Sequence, residues 1–317
     1  MDYRKLISFG KNSFVISLPK TWIRHSKLKK GDLIYVEEGS DHLILRPHPN
    51  NDDEEEKKIT INVDGKPFSL IEREVNAAYI ANNRSIILKG KEIKTNIREL
   101  QSVIQNLIAL EIMEQNSDTI ISRDFLDMDK VSLKELVRKI DVVTKTMVKE
   151  TSNIFNEENY DNINERDKDV NRLYFLIYRT CLFNLNNPTK ALKNFNLTPV
   201  ELLKINRMGF YLEGVADEAR RTARFAKELK PSPKEKKEIE DIFDSIYQFL
   251  QDTMKTLYND DYQEALNISE RKKSINKKLE ELEEKDKDNV ILSKVISRIR
   301  RMASYIHNLG RLVYTAR

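Results

Sequence analysis

The sequence predicts a mainly α-helical chain carrying a small β-rich head, and three observations lead there. Its 317 residues hold only 8 Gly and 8 Pro, little material for the turns of a sandwich or barrel. From Ser132 onward, apolar residues recur at steps of three and four, one buried stripe per helix. Residues 3–9 and 13–18 read as β-structure, and residues 3–30 hold eight cations but no Asp or Glu. A chain of this length divides into two or three domains.

The head comes first. Residues 3–9 and 13–18 are rich in β-formers, and Gly10-Lys11-Asn12 between them has turn chemistry. Pro19 suits the first position of a short helix bearing Lys20, Trp22, Ile23 and Arg24, because its missing N–H costs nothing there. Residues 28–32 read as a turn. Residues 33–37 and 42–45 read as two strands joined by Gly39-Ser40-Asp41. A ββαββ unit of about 45 residues rarely buries enough apolar area alone, so it is expected to dimerise.

Charge sets the head apart. Residues 1–46 carry nine Lys/Arg against five Asp/Glu, whereas the rest of the chain is balanced. The whole excess of +4 therefore sits in the head, and a polyanion is the expected partner. Candidate contacts are Arg4, Lys5, Lys11, Lys20, Arg24, Lys27, Lys29 and Lys30. A solvated basic face is the plainer alternative.

Residues 10–22 (GKNSFVISLPKTW) and 28–36 (LKKGDLIYV) resemble the AbrB/SpoVT/MazE swapped-hairpin DNA-binding domain over about residues 3–46. The resemblance implies an interleaved dimer that contacts double-stranded DNA through its first strand, the following turn and the short helix. Those places hold Arg4, Lys5, Lys11, Lys20 and Arg24. Lys11 offers a point charge at the turn, with less capacity for bidentate base contacts than Arg. Trp22 reads as a core anchor.

The head is taken as residues 1–47, followed by an acidic linker over 48–58 with two prolines nearby. Residues 59–125 form a small α/β spacer: strand 59–63, helix 67–81, strand 85–88, helix 95–110, then a hairpin of 111–115 with 118–122. Beyond it, six helices are predicted at about 132–157, 162–187, 197–230, 233–259, 261–283 and 287–316. They divide at Pro231 into three-helix bundles over 131–230 and 231–317.

Within the first bundle, residues 166–179 (RDKDVNRLYFLIYR) and 212–220 (LEGVADEAR) look like PhoU, the phosphate-uptake regulator. The archaeal-type branch of that family also carries an AbrB-like head. The resemblance implies a transcriptional regulator of phosphate homeostasis. It also implies Glu/Asp-x-x-x-Asp motifs, in which carboxylates at i and i+4 share a hard cation on one helix face. Glu213 and Asp217 match in full. Asp167 and Asn171 match with the loss of one charge, and Arg300 and Ser304 of the second bundle offer no ligands. A divalent or iron-type ion on Glu213, Asp217, Asp167 and Asn171 is one expectation. A wet acidic face paired with the nearby Arg220 and Arg221 is the other.

Other chemistries find no support. No Glu-x-x-His motif, P-loop, Gly-rich nucleotide loop or catalytic triad is present, so a non-enzyme is expected. Cys181 stands alone, which fits a reducing, cytoplasmic setting and excludes an intrachain disulfide. No apolar run of about 18 residues exists, so no membrane insertion is expected. Two rival roles remain: an adaptor that inhibits a phosphate ABC transporter or contacts signalling proteins, and an antitoxin-like binder.

Overall fold

The computed structural model describes residues 3–11, 13–38, 43–48, 57–157 and 159–315. Asn12 of the first turn, the 39–41 turn with His42, and most of the acidic linker lie outside the described residues. The chain forms two compact units, residues 1–56 and 57–317.

In the first unit, β1 (Ile7–Phe9) pairs antiparallel with β2 (Ser13–Val15), placing Ile7 opposite Val15. Gly10 supplies the turn, with φ at 70°. The helix α1 (Lys20–His25) follows Pro19, which caps it from outside rather than opening it. The strand β3 (Tyr35–Glu38) pairs with β4 (Leu43–Arg46) in a separate two-stranded sheet. Both first strands are shorter than their sequence pattern predicts.

The second unit opens with a four-stranded sheet in the order β5-β6-β8-β7. β5 (Lys58–Asn62) runs parallel to β6 (Ser85–Lys89), and α2 (Phe68–Ile80) makes the crossover. α3 (Ile97–Gln105) leads into the antiparallel pair β7 (Leu110–Gln115) and β8 (Thr119–Asp124). Ile71, Val75, Tyr79, Ile86, Leu88, Leu100 and Ile120 form its core. The helix predicted to reach residue 110 stops at Gln105. Asn106 ends it, and Ala109 adopts φ 63°, which turns Leu110 into the sheet.

The helical body contains α4 (Leu133–Ser152), α5 (Tyr160–Asn186), α6 (Pro188–Phe195), α7 (Pro199–Ala226), α8 (Pro233–Asn259), α9 (Tyr262–Ser269), α10 (Arg271–Lys285) and α11 (Val290–Thr315). Its starts are local chemistry. Thr198 with Glu201, and Ser232 with Glu235, form capping boxes, and a proline follows each cap. Asp261 caps α9. Two details depart from the six predicted helices. Pro188 starts the extra helix α6, which Asn196 closes in the left-handed conformation. The predicted 261–283 helix is two, divided at Glu270.

One hydrophobic core runs from Leu133 to Val313, so both three-helix sets share it. The sheet is joined to this body by Arg179 of α5. Its guanidinium donates to both Asp124 oxygens at 3.2 and 2.5 Å and to Asn82 Oδ1 at 2.7 Å, and lies 4.4 Å over the Tyr79 ring. Arg179 and Asp124 are both fully buried in their side chains.

Candidate functional site

The head cations come from short segments whose geometry keeps them outside. Arg4 and Lys5 precede β1, Lys11 sits in the turn, and Lys20 and Arg24 lie on α1. Lys27 takes a left-handed conformation (φ 53°) just after α1, and Lys29 and Lys30 lead into Gly31. All eight are exposed. Among the described residues, Lys5, Lys11, Lys20, Arg24, Lys27 and Lys30 form no ion pair. The nearby acid Asp32 is engaged locally, accepting from the Lys29 backbone N–H at 2.6 Å. These six cations therefore present their charge to solvent, where a phosphate can reach it.

The apolar side chains of the head are in an unusual position. No described residue of this unit is buried, and Phe9, Phe14 and Leu33 are 69%, 67% and 73% exposed. Trp22, expected as a core anchor, is half-buried. Two isolated hairpins with their apolar residues outside cannot be stable alone.

In the body, the structure brings the predicted acidic residues together but corrects their role. Asp217 accepts from Arg220 Nη2 at 2.8 Å and from Arg221 Nε at 3.1 Å. Asp167, across on α5, sits 2.9 Å from Arg220 Nε and accepts from Asn171 Nδ2 at 3.3 Å. Both Asp217 oxygens and Asp167 Oδ2 are thus held by guanidinium nitrogens, and Asn171 turns its donor, not its carbonyl, toward Asp167. Among the described residues no group of three or more His, Cys, Asp or Glu is placed to hold a metal ion. Glu213, Asp217, Asp167 and Asn171 therefore do not fit a metal centre; Arg220 supplies the positive charge between the two helices. Glu213 stands beside them half-buried. Burial, then the charges of Asp217 and Asp167, push its carboxyl up to about 7.

A neighbouring group escaped the sequence reading. Glu218 is 1% exposed and lies 3.1 Å from Arg301 Nε, 3.5 Å from Arg298 Nη1 and 3.8 Å from Arg221 Nη1. It ties α7 to α11. Its one sequence signal is that it shares the apolar face of α7 with Val215 and Thr222, a place where an acid needs a partner. In the second set, Arg300 pairs with Glu283 at 2.9 Å, and Ser304 donates to the Arg300 carbonyl.

Residues 7–53 match the family model described as antidote-toxin recognition MazE, bacterial antitoxin. No curated protein matches the chain. Among solved structures, the crystal structure of PhoU from Pseudomonas aeruginosa is similar, with a TM-score of 0.52 and 16% identity. The likeness covers 58% of this chain and 94% of that one. At this identity it shows the fold: a PhoU-type helical body follows a MazE-type head.

Proposed function

We propose that this chain is a DNA-binding transcriptional regulator of phosphate uptake and homeostasis, acting as a dimer through its head. The observation that carries the reading is the exposed, acid-free run of cations over residues 3–30, six of whose eight cations fall within residues 7–53 that match a MazE-type domain. The PhoU-type fold of the body supports the link to phosphate. A partner that binds the body in one of two conformations would shift the operator affinity of the head, with no enzymatic step. The direct test is a gel shift with the chain's own upstream DNA against an unrelated duplex. Specific retardation, weakened by Lys11→Ala and Arg24→Ala, is expected.

A second reading has its own observation. The likeness spans 94% of the PhoU chain, so a nearly complete body of that fold is present. On this reading the body docks on a phosphate ABC transporter or a signalling protein, and the head serves only to pair two copies. Absence of any retardation at low salt would favour it.

A further inference from the structure

The two edges of the four-stranded sheet differ. β7 is blunted: its register shifts between Ile112 and Glu114, and Glu111 and Glu114 are exposed along it. A bulge and acidic residues are how an edge strand is kept from pairing. β5 has an unbroken register with β6, and its one charged residue, Lys58, stands at the first position of the strand, outside its Ile59–Ile61 centre.

The phase of its ladder is fixed at both ends. The Lys57 carbonyl accepts from the Ser85 N–H at 3.2 Å, and the Val63 N–H donates to the Lys89 carbonyl at 2.9 Å. In a parallel ladder, alternate residues turn to the same neighbour. Ile59 and Ile61 therefore bond to β6, and the N–H and C=O of Thr60 and Asn62 point away from it. Among the described residues no strand covers that side.

A groove of about 440 Å³ runs beside this edge, between β5 and α2. Ile59, 36% exposed, forms one wall, and Ala77, Ala78 and Ala81 leave room on the other. A strand added here would gain backbone hydrogen bonds and lodge every second side chain in the groove.

We propose that the occupant is β5 of a second copy, paired antiparallel about Thr60 so that two four-stranded sheets become one. Pairing Thr60 with its own counterpart sets Ile59 against the partner's Ile61 on the groove side. The strand is thus self-complementary, as a two-fold interface requires. The inference rests on the reading of the head as a dimer. Eleven residues separate β4 from β5, a tether of at most about 40 Å. Once two heads pair, the two β5 strands meet at the high effective concentration of an intramolecular contact.

The test uses the full chain, in which Cys181 is buried and the sole thiol. Thr60→Cys places two thiols across a hydrogen-bonded pair, with Cα atoms about 5.5 Å apart and within disulfide reach. Ser117→Cys, at the exposed β7–β8 turn, is the control. Sedimentation of the wild type should show a dimer, and mild oxidation should link Thr60→Cys but not Ser117→Cys. The Thr60 and Asn62 amides should exchange more than about tenfold slower than open-edge amides. A dimer with fast exchange and no link at position 60 would overturn the pairing and leave the head reading standing. Slow exchange without a link would assign the edge to another segment, overturning the second copy. A monomer would overturn both.

Discussion

Arg179 interrupts an apolar stretch of α5 as a fully buried cation, held because Asp124, Asn82 and the Tyr79 face together replace its water. Removing it leaves Asp124 buried with Arg84 as its remaining cation, 2.8 Å away and partly exposed. Arg179→Met should cost about 3–5 kcal/mol in urea unfolding, and Arg179→Met/Asp124→Leu should recover much of that. Glu213 makes a second prediction at this scale. Its carboxyl is raised from the ordinary 4.5 to about 7 in the folded chain. Below 4.5 both folded and unfolded forms hold the proton. Between 4.5 and 7 only the folded form does, so stability falls as pH rises through this window and levels off above it. The loss should be on the order of 2 kcal/mol once residual solvent is allowed for. Glu213→Gln should flatten the stability profile between pH 5 and 8; an unchanged slope would place the responsible group elsewhere.

At the level of elements, the packing of α7 on α11 decides how the two helical sets become one core. Gly214 lies against the Tyr305 ring, and a Cβ added there would stand 2.9 Å from the nearest ring carbon. A methyl group in that space pushes the helices apart or turns the ring out of its seat. Gly214→Ala should therefore lower stability by about 1–3 kcal/mol. Tyr305→Leu in the same background should return part of the loss, because the clash is with the ring. Thermal unfolding of the two variants checks both statements. The buried Glu218 with Arg298 and Arg301 crosses the same interface, so the contact is polar as well as close. Three of the predicted helix starts, at 132, 197 and 233, lie within one residue of the local caps Ser132, Thr198 and Ser232, while the predicted end at residue 110 fails. Capping is written in four adjacent residues, whereas Leu110 satisfies a helical stripe and a strand equally and is claimed by the sheet.

For the whole molecule, the asymmetry of charge governs the expected behaviour. If a dimer neutralises on the order of eight phosphates, log K against log salt should fall with a slope of about −7. Filter binding between low and moderate salt measures it, and a flat response would remove DNA as the head's partner. Dimerisation carries its own signature. The apolar side chains of the head are exposed in one copy, so its unfolding should move to higher temperature as protein concentration rises. Among the described residues no helix is long and apolar enough to cross a membrane.

The sequence by itself determined what local pattern encodes: the helical stripes, the capped starts, the hairpins of the head and its acid-free run of cations. The resemblance to PhoU also brought Glu213, Asp217 and Asp167 to notice, through motifs that place two polar ligands four residues apart on one helix face. Only the tertiary structure decided what those acids face. Arg220 reaches Asp167 across two helices, Arg301 reaches Glu218 from α11, and Arg179 meets Asp124 from 55 residues away. No spacing rule announces such pairs, since a long guanidinium can satisfy any carboxylate that packing brings within its reach. The open edge of β5 is likewise set by strand order, which depends on how the chain crosses over and not on the composition of the strand. Local hydrogen bonding and periodicity act over a few residues and leave a trace in sequence; the partner of a buried charge is fixed by where whole elements come to rest.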